Sequence, residues 1–431
     1  MAMDFYSSLT HLPPSLVEAL QTSAEEENTH ALCLNLAKSS EEAFLSRFRK
    51  VKPHPLLPHA FLYSKSDYEF GKSFYYDMGV YSIQDASSML PPFYLDPKPG
   101  ETVLDLCAAP GGKSILLSLL MQGRGILLSN DISPSRAKSL SSNIERMGLG
   151  NVIVCNDDFS RHATEFKETF DKILLDAPCS GSAMFRKSEQ SRKEWSEAKV
   201  RDCALIQAEL LEEAYVMLKP GGRLLYSTCS FSYEEDEGAL SSFLSKHPNM
   251  KTVRVQENPL FYRGKKIPDS VLLLPCLFPG EGQFLCLLEK DGSLERASEK
   301  LCASKTGFED LLGFYGLSDR FNFLSSSCLW SLPRFFDTKS LHTLRKGLKV
   351  AEGPYFEPDQ SLAHYLGADY QVELTPSQAL SFCKGEAFPL GLEDGYYLAS
   401  YQGIGIGFFK MAKGKMKNHY PKGLRRHYKE I

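Results

Sequence analysis

The chain has 431 residues and a mass of 48.3 kDa. This exceeds what one ordinary domain requires, so we expect two or three domains. Hydrophobic residues make up 43% and charged residues 24% of the chain, a balance that excludes disordered and collagen-like proteins. A formal net charge of −4 argues against a uniformly basic surface but is compatible with local basic patches.

Membrane-spanning, secreted and zinc-binding proteins are also disfavoured. No stretch reaches the roughly 18–20 apolar residues of a spanning helix, and residues 1–4 lack the character of a secretory signal. The eleven cysteines are an odd number without a C-x-x-C pair, which argues against a disulfide framework or a zinc cluster. We therefore predict a cytoplasmic protein with free thiols, no metal and no membrane partner.

The first two predicted domains differ in their patterns. Residues 1–95 combine a short helical pattern with Pro-rich connections and aromatic residues, and form a separate N-terminal module. Over residues 96–291, apolar runs alternate with helical patterns, as is typical of βαβ units around a parallel sheet. The predicted strands are 103–106, 125–131, 152–155, 173–176 and 223–227, the helices include 113–121 and 204–218, and a hairpin joins 271–278 to 283–289.

A connecting region over 292–350 precedes a small β-rich domain over 351–431, with short strands predicted at 396–399 and 403–409. From Lys410 to Ile431 there are eight Lys or Arg and one acid. Because aromatic and histidine residues are interleaved with these cations, RNA phosphate contacts and base stacking are favoured. A solvated charged tail is the alternative.

The turn Asp105–Lys113 follows the first predicted strand of the sheet and opens a helix. Its small residues let a ligand approach the backbone where helix N–H groups point outward. Asp131 and Asp158 follow the next two strands, at the edge where open α/β sheets bind ligands. The chain has no G-x-G-x-x-G or Walker pattern, so S-adenosylmethionine is the nucleotide-like ligand that fits best. An empty tight turn is the alternative.

Two cysteines follow later strands of the same predicted sheet. Asp176-Ala177-Pro178-Cys179-Ser180-Gly181 ends the fourth strand, and Ser227-Thr228-Cys229-Ser230 ends the fifth. Taken singly, each cysteine is more simply an inert core residue. Their shared place at the ligand-binding edge, beside Asp176, favours a reactive pair.

These three segments resemble the cofactor, Pro-Cys and Thr-Cys motifs of the RsmB/RsmF (NOL1/NOP2/Sun) RNA cytosine-5 methyltransferases. The likeness covers residues 98–290, residues 84–89 resemble the segment leading into that core, and residues 417–422 resemble the PUA-like end of the RsmF branch. The resemblance implies a Rossmann-like α/β methyltransferase core that uses S-adenosylmethionine, an N-terminal α+β RNA-binding module and a C-terminal PUA-like domain. The implied partner is small-subunit (16S) ribosomal RNA or the small subunit itself, and we expect a monomer.

The resemblance also implies roles for individual residues. Cys229 would be the nucleophile that adds to carbon 6 of cytosine, Asp176 would bind the N3/N4 edge of the base, and Cys179 would assist release. The implied cofactor-binding residues are Cys107, Ala108, Ala109, Pro110, Gly111, Gly112, Lys113, Asp131, Asp158 and Asp176. The expected RNA contacts are Arg186, Lys187, Lys417, His419, Tyr420, Lys422, Arg425 and Arg426. For Arg186 and Lys187, a solvated loop is the alternative.

The sequence departs from the family pattern at two places. Ser182-Ala183 replaces a Glu-Gly pair, and in Pro279-Gly280-Glu281-Gly282-Gln283-Phe284 the residues Glu281 and Gln283 differ from the Gly-Asp-Gly-Phe-Phe pattern. We expect neither change to abolish activity. Two other functions remain open at this point: a tRNA cytosine-5 methyltransferase, and a catalytically silent ribosome-assembly protein that binds RNA.

Overall fold

A computed structural model describes residues 5–25, 28–294, 306–355, 357–366 and 371–428. The N-terminal part is a four-stranded antiparallel sheet with short helices around it. Its strands are β1 (His30–Leu34), β2 (Lys52–Pro53), β3 (Ala60–Tyr63) and β4 (Tyr81–Gln84), in the order β2-β3-β1-β4. Its helices are α1 (Phe5–Ser8), α2 (Pro14–Ser23), α3 (Glu41–Arg47) and α4 (Phe74–Asp77). The sequence pattern did not locate these strands, because each is only two to five residues long.

The largest sheet forms the centre of the molecule. Its parallel strands are β5 (Thr102–Asp105), β6 (Ile126–Asn130), β7 (Val152–Cys155), β8 (Phe170–Asp176) and β9 (Leu218–Thr228). One edge continues antiparallel through β10 (Met250–Val253), β11 (Tyr262–Arg263), β12 (Val271–Leu273) and β13 (Gln283–Lys290). The order β7-β6-β5-β8-β9-β13 is that of a Rossmann-like α/β sheet, which confirms the predicted fold class.

Helices cover this sheet and connect its strands. They are α5 (Leu90–Leu95), α6 (Gly112–Leu120), α7 (Pro134–Met147), α8 (Glu189–Glu194), α9 (Glu197–Met217) and α10 (Ala239–Lys246). Helix α9 begins seven residues before the predicted 204, because the Ser196 side chain accepts a hydrogen bond from the Lys199 N–H and caps the first turn. None of the helices among the described residues is long and apolar enough to cross a membrane.

The region after the central sheet forms two smaller sheets. The first contains β14 (Phe321–Ser325), β15 (Cys328–Leu332), β17 (Leu348–Glu352) and β18 (Glu357–Pro358), and the second contains β19 (Gln371–Glu373), β20 (Gly395–Tyr401), β21 (Ile404–Ala412) and β22 (Lys415–Asn418). The helices here are α11 (Glu309–Phe314), α12 (Gln360–Tyr365) and α13 (Pro376–Cys383). Strand β16 (Thr343–Lys346) lies in the predicted connecting region, yet it pairs antiparallel with β7 and extends the central sheet.

Candidate active site

The side chains predicted to act together lie at the carboxyl edge of the parallel strands. Asp105, Asp176 and Thr228 are the last residues of β5, β8 and β9, and Asp131 directly follows β6. Parallel strands end at one edge of a sheet, so these residues converge although they are far apart in the chain.

The two candidate cysteines contact each other. The Sγ atoms of Cys179 and Cys229 are 3.0 Å apart, and both residues are partly exposed. A hydrogen bond with Cys229, together with burial, raises the pKa of the Cys179 thiol well above its usual value. Cys179 therefore keeps its proton near neutral pH and can donate it in a hydrogen bond to the neighbouring sulfur.

Asp176 accepts three hydrogen bonds. Lys113 Nζ lies 2.7 Å from Oδ2, while Ser227 Oγ and Gln283 Nε2 each lie 2.8 Å from Oδ1. Burial works to lower the pKa of Lys113, but the Asp176 carboxylate outweighs it and raises this pKa above its usual value. The pair is therefore an ammonium beside a carboxylate, next to the two thiols.

Glu235 joins the loops that carry the two cysteines. It is 0% exposed, and its carboxylate accepts from Ser180 N and Ser180 Oγ, each at 2.6 Å, and from Ser230 Oγ at 2.5 Å. Ser180 follows Cys179 and Ser230 follows Cys229, so one buried side chain sets the spacing of both loops. Sequence reasoning missed Glu235, although four consecutive acids, residues 234–237, shortly after the Thr-Cys motif could have indicated it.

A cavity of about 280 Å³ lies at the same edge of the sheet, and Pro178, the neighbour of Cys179, is one of its lining residues. Cys107, Asp131, Asp158, Phe159 and Ile206 are among its lining residues. Among the predicted cofactor residues, Lys113 and Asp176 form the ion pair described above, whereas Cys107, Asp131 and Asp158 line the cavity.

The turn before α6 contributes backbone to this region. Ala109 N donates to Asp131 Oδ2 at 3.3 Å, and Ala109 O accepts from Arg136 Nη2 at 2.7 Å. Ala108 N and Pro110 O are also hydrogen-bonded, and α6 begins at Gly112. Gly111 has φ +108°, which residues other than glycine rarely adopt, and a Cβ there would lie 2.8 Å from Leu140 Cδ1. Position 111 of this turn therefore requires glycine.

Asp105 has one carboxylate oxygen without a partner. It is 0% exposed, its Oδ2 accepts from Ser114 Oγ at 2.6 Å, and its Oδ1 is buried without a hydrogen bond to any described residue. Burial raises the pKa of this carboxyl to about 7. A buried polar atom without a partner is expensive, so a ligand with a hydrogen-bond donor or a positive charge fits this site.

The predicted RNA contacts in the core lie within internal networks. The Arg186 side chain is 8% exposed, and its Nη1 donates to Gly280 O at 3.3 Å. Lys187 Nζ lies 3.5 Å from Asp85 Oδ2 and keeps 28% of its side chain exposed. These contacts join the Pro-Cys loop to residues before α5 and to the 279–282 hairpin, and Lys187 is the more accessible of the two cations.

The predicted RNA contacts near the C-terminus divide into exposed and buried residues. Lys417, Lys422, Arg425 and Arg426 are exposed, and His419 is half-buried with its ring 5.7 Å from that of Tyr396. Tyr420 is 2% exposed and packs against Phe382. A ring this deeply buried offers no face for base stacking, so Tyr420 contributes to packing instead.

Comparisons with known proteins identify relatives of this chain. Residues 92–288 match the family model of the 16S rRNA methyltransferase RsmB/F, and residues 370–426 match that of the methyltransferase RsmF PUA domain. A ribosomal RNA small subunit methyltransferase F from Shewanella loihica is 31% identical, over 83% of this chain and 80% of its own. One from Aeromonas hydrophila is 32% identical, over 91% and 90%. The crystal structure of a methyltransferase homolog protein from Pyrococcus horikoshii covers 66% of this chain and 93% of its own, with a TM-score of 0.58 and 30% identity. The chain therefore belongs to the ribosomal RNA small subunit methyltransferase F family.

Proposed function

We propose that this enzyme forms 5-methylcytosine in small-subunit ribosomal RNA, with S-adenosylmethionine as the methyl donor and Cys229 as a covalent catalyst. The observation that carries this proposal is the pair of thiols, 3.0 Å apart, beside the Asp176 carboxylate. A methyltransferase acting on an oxygen or an exocyclic nitrogen has no need for two sulfur atoms in contact at its reaction site.

Carbon 5 of cytosine becomes nucleophilic only after another group has added to carbon 6. The Cys229 sulfur is assigned to this addition, because the Cys179 thiol can stabilise it as a thiolate by donating a hydrogen bond. Asp176 is assigned to the N3/N4 edge of the base, where it stabilises the charge that develops on addition. After methylation, a base removes the carbon-5 proton and the bond between Cys229 and carbon 6 breaks. Cys179, next to the departing sulfur, is assigned to assist this step.

The residues at the carboxyl edge fit S-adenosylmethionine. Asp131 and Asp158, which line the cavity, are assigned to the ribose hydroxyls, and the unpartnered Oδ1 of Asp105 suits a positively charged or hydrogen-bond-donating group. When bound, this cofactor supplies a methyl group activated by a sulfonium. Asp105, Asp131 and Asp158 would hold it at the carboxyl edge of the parallel strands.

The names of the relatives and the exposed cations support a ribosomal RNA substrate. The C-terminal sheet carries exposed Lys413, Lys415 and Lys417, and Lys422 follows them. Lysines on one surface attract phosphates without reading the base sequence. The methylated cytosine must therefore be selected by other contacts or by the shape of the RNA.

Methyl transfer from tritiated S-adenosylmethionine to ribosomal RNA and to tRNA, followed by bisulfite mapping, tests the proposal. Methyl transfer should require Cys229, and Cys229→Ala should form no covalent complex with RNA. Cys179→Ala should accumulate a complex that survives denaturation, whereas the distant Cys328→Ala should behave as the wild type. Adducts in Cys229→Ala but not in Cys179→Ala would reverse the assignment, and methylation of tRNA alone would refute the proposed substrate.

A further inference from the structure

We infer that Gln283 is a positioning residue for Asp176, an inference that rests on the proposed function. Gln283 is the first residue of β13 and is 0% exposed. Its Nε2 donates to Asp176 Oδ1 at 2.8 Å, and its Oε1 accepts from Ser88 Oγ at 3.3 Å. The side-chain amide thus bridges the candidate catalytic carboxylate and the segment that leads into α5.

The register of the sheet puts Gln283 next to the reaction site. Phe284 pairs with Thr228 across the antiparallel β9–β13 ladder. One residue further along, Gln283 is therefore level with Cys229. A residue at this position can affect the thiol loop and the carboxylate together.

A buried amide is costly unless both of its ends are hydrogen-bonded. Both ends of the Gln283 amide are hydrogen-bonded, and its NH₂ group donates to Asp176. The other donors to that carboxylate come from different elements, with Lys113 on α6 and Ser227 on β9. A third donor, from β13, restricts rotation of the carboxylate plane and so fixes the direction of the oxygens that would meet the cytosine edge.

Loss of this donor should lower kcat more than binding. A hydrogen bond to an ionised group of this kind corresponds to a change of about 10- to 100-fold. We expect a fall of that size in kcat for Gln283→Leu, with little change in KM for S-adenosylmethionine, because Asp131 and Asp158 are intact. Gln256→Leu, at an exposed glutamine between β10 and β11, is the matched control and should show wild-type kinetics.

A second variant separates positioning from mere packing. In Gln283→Glu, a protonated side chain can still donate to Asp176, whereas an ionised one repels it. Burial and the negative charge of Asp176 raise the pKa of the new carboxyl, while the Lys113 ammonium, on the other oxygen of Asp176, opposes them. The ratio of kcat in Gln283→Glu to kcat in Gln283→Leu should therefore fall as pH rises from about 5.5 to about 8.5. A packing role would give a ratio that does not depend on pH.

Kinetics of all variants over this pH range, with thermal melting to check folding, decide the question. If the wild type forms 5-methylcytosine and Gln283→Leu keeps the wild-type kcat, the inference is wrong and the proposed function stands. A flat ratio of Gln283→Glu to Gln283→Leu also overturns it, even where Gln283→Leu is less stable. If the wild type methylates no cytosine, the proposed function itself fails.

Discussion

Two substitutions of Glu235 test how much its hydrogen bonds to the two cysteine loops contribute to stability. Glu235→Ala removes the acceptor that lies 2.5–2.6 Å from three buried donors, Ser180 N, Ser180 Oγ and Ser230 Oγ. At about 1–3 kcal/mol for each lost partner, and allowing for relaxation, the total is about 3–5 kcal/mol. For a unit of roughly 200 residues this corresponds to a fall in Tm of about 6–20 °C.

Glu235→Gln should cost much less, because two of the three donors are hydroxyls. The amide oxygen can still accept from Ser180 N, and the two serine hydroxyls can rotate and accept from the new NH₂ group. We expect a loss of about 1–2 kcal/mol, and the exposed Glu234→Ala should change stability by less than about 0.5 kcal/mol. Scanning calorimetry measures all three variants. Equal losses for Ala and Gln, or no loss for Ala, would show that Glu235 does not hold the cysteine loops together.

Three further predictions concern the cofactor, pH and RNA. Asp131→Ala should weaken S-adenosylmethionine binding about tenfold or more, measured by calorimetry, because a charge-assisted acceptor is lost. Asp105 has a pKa of about 7 in the folded protein against 3.8 for the ordinary carboxyl. The folded state therefore keeps a proton that the unfolded state loses, and this contribution to stability falls as pH rises from about 4 to about 7. The Tm of Asp105→Asn minus that of the wild type should accordingly increase between pH 5 and pH 8, and a constant difference would contradict the raised pKa. Lys415→Glu/Lys417→Glu should reduce the slope of log RNA affinity against log salt by about 0.7–0.9 for each lost phosphate contact, and an unchanged slope in filter binding would place the RNA elsewhere.

Local sequence pattern was sufficient to predict that Cys179 and Cys229 converge. Each cysteine follows an apolar strand pattern, and a parallel sheet brings the carboxyl ends of its strands to one edge. The same reasoning predicted the places of Asp131 and Asp176. Only the chemical roles of these residues stay predictions, since geometry alone does not test them.

Contacts between segments that are far apart in the sequence could not be predicted from the local pattern of apolar residues. Gln283 reaches Asp176 over 107 positions, and β16 joins β7 from a region with no clear periodicity. Neither pairing is encoded by the spacing of apolar residues, because each depends on how whole segments pack. The sequence shows that Gln283 departs from the family pattern. The role of its amide is visible only in the folded structure, where the amide is hydrogen-bonded to both Asp176 and Ser88.

The C-terminal segment shows why RNA binding must be tested by changing charge and not by truncation. Phe74 of the N-terminal module contacts both Tyr401 and Tyr428, with ring centres 5.8 and 5.6 Å apart. Asp77 accepts a hydrogen bond from Tyr428 and lies 3.3 Å from Arg426. The N-terminal sheet and the C-terminal sheet therefore share one hydrophobic core. Removing the chain after residue 409 would cut β21 and expose that core, so a loss of RNA affinity would report unfolding. Substitution of exposed lysines leaves the core intact and makes the salt dependence interpretable.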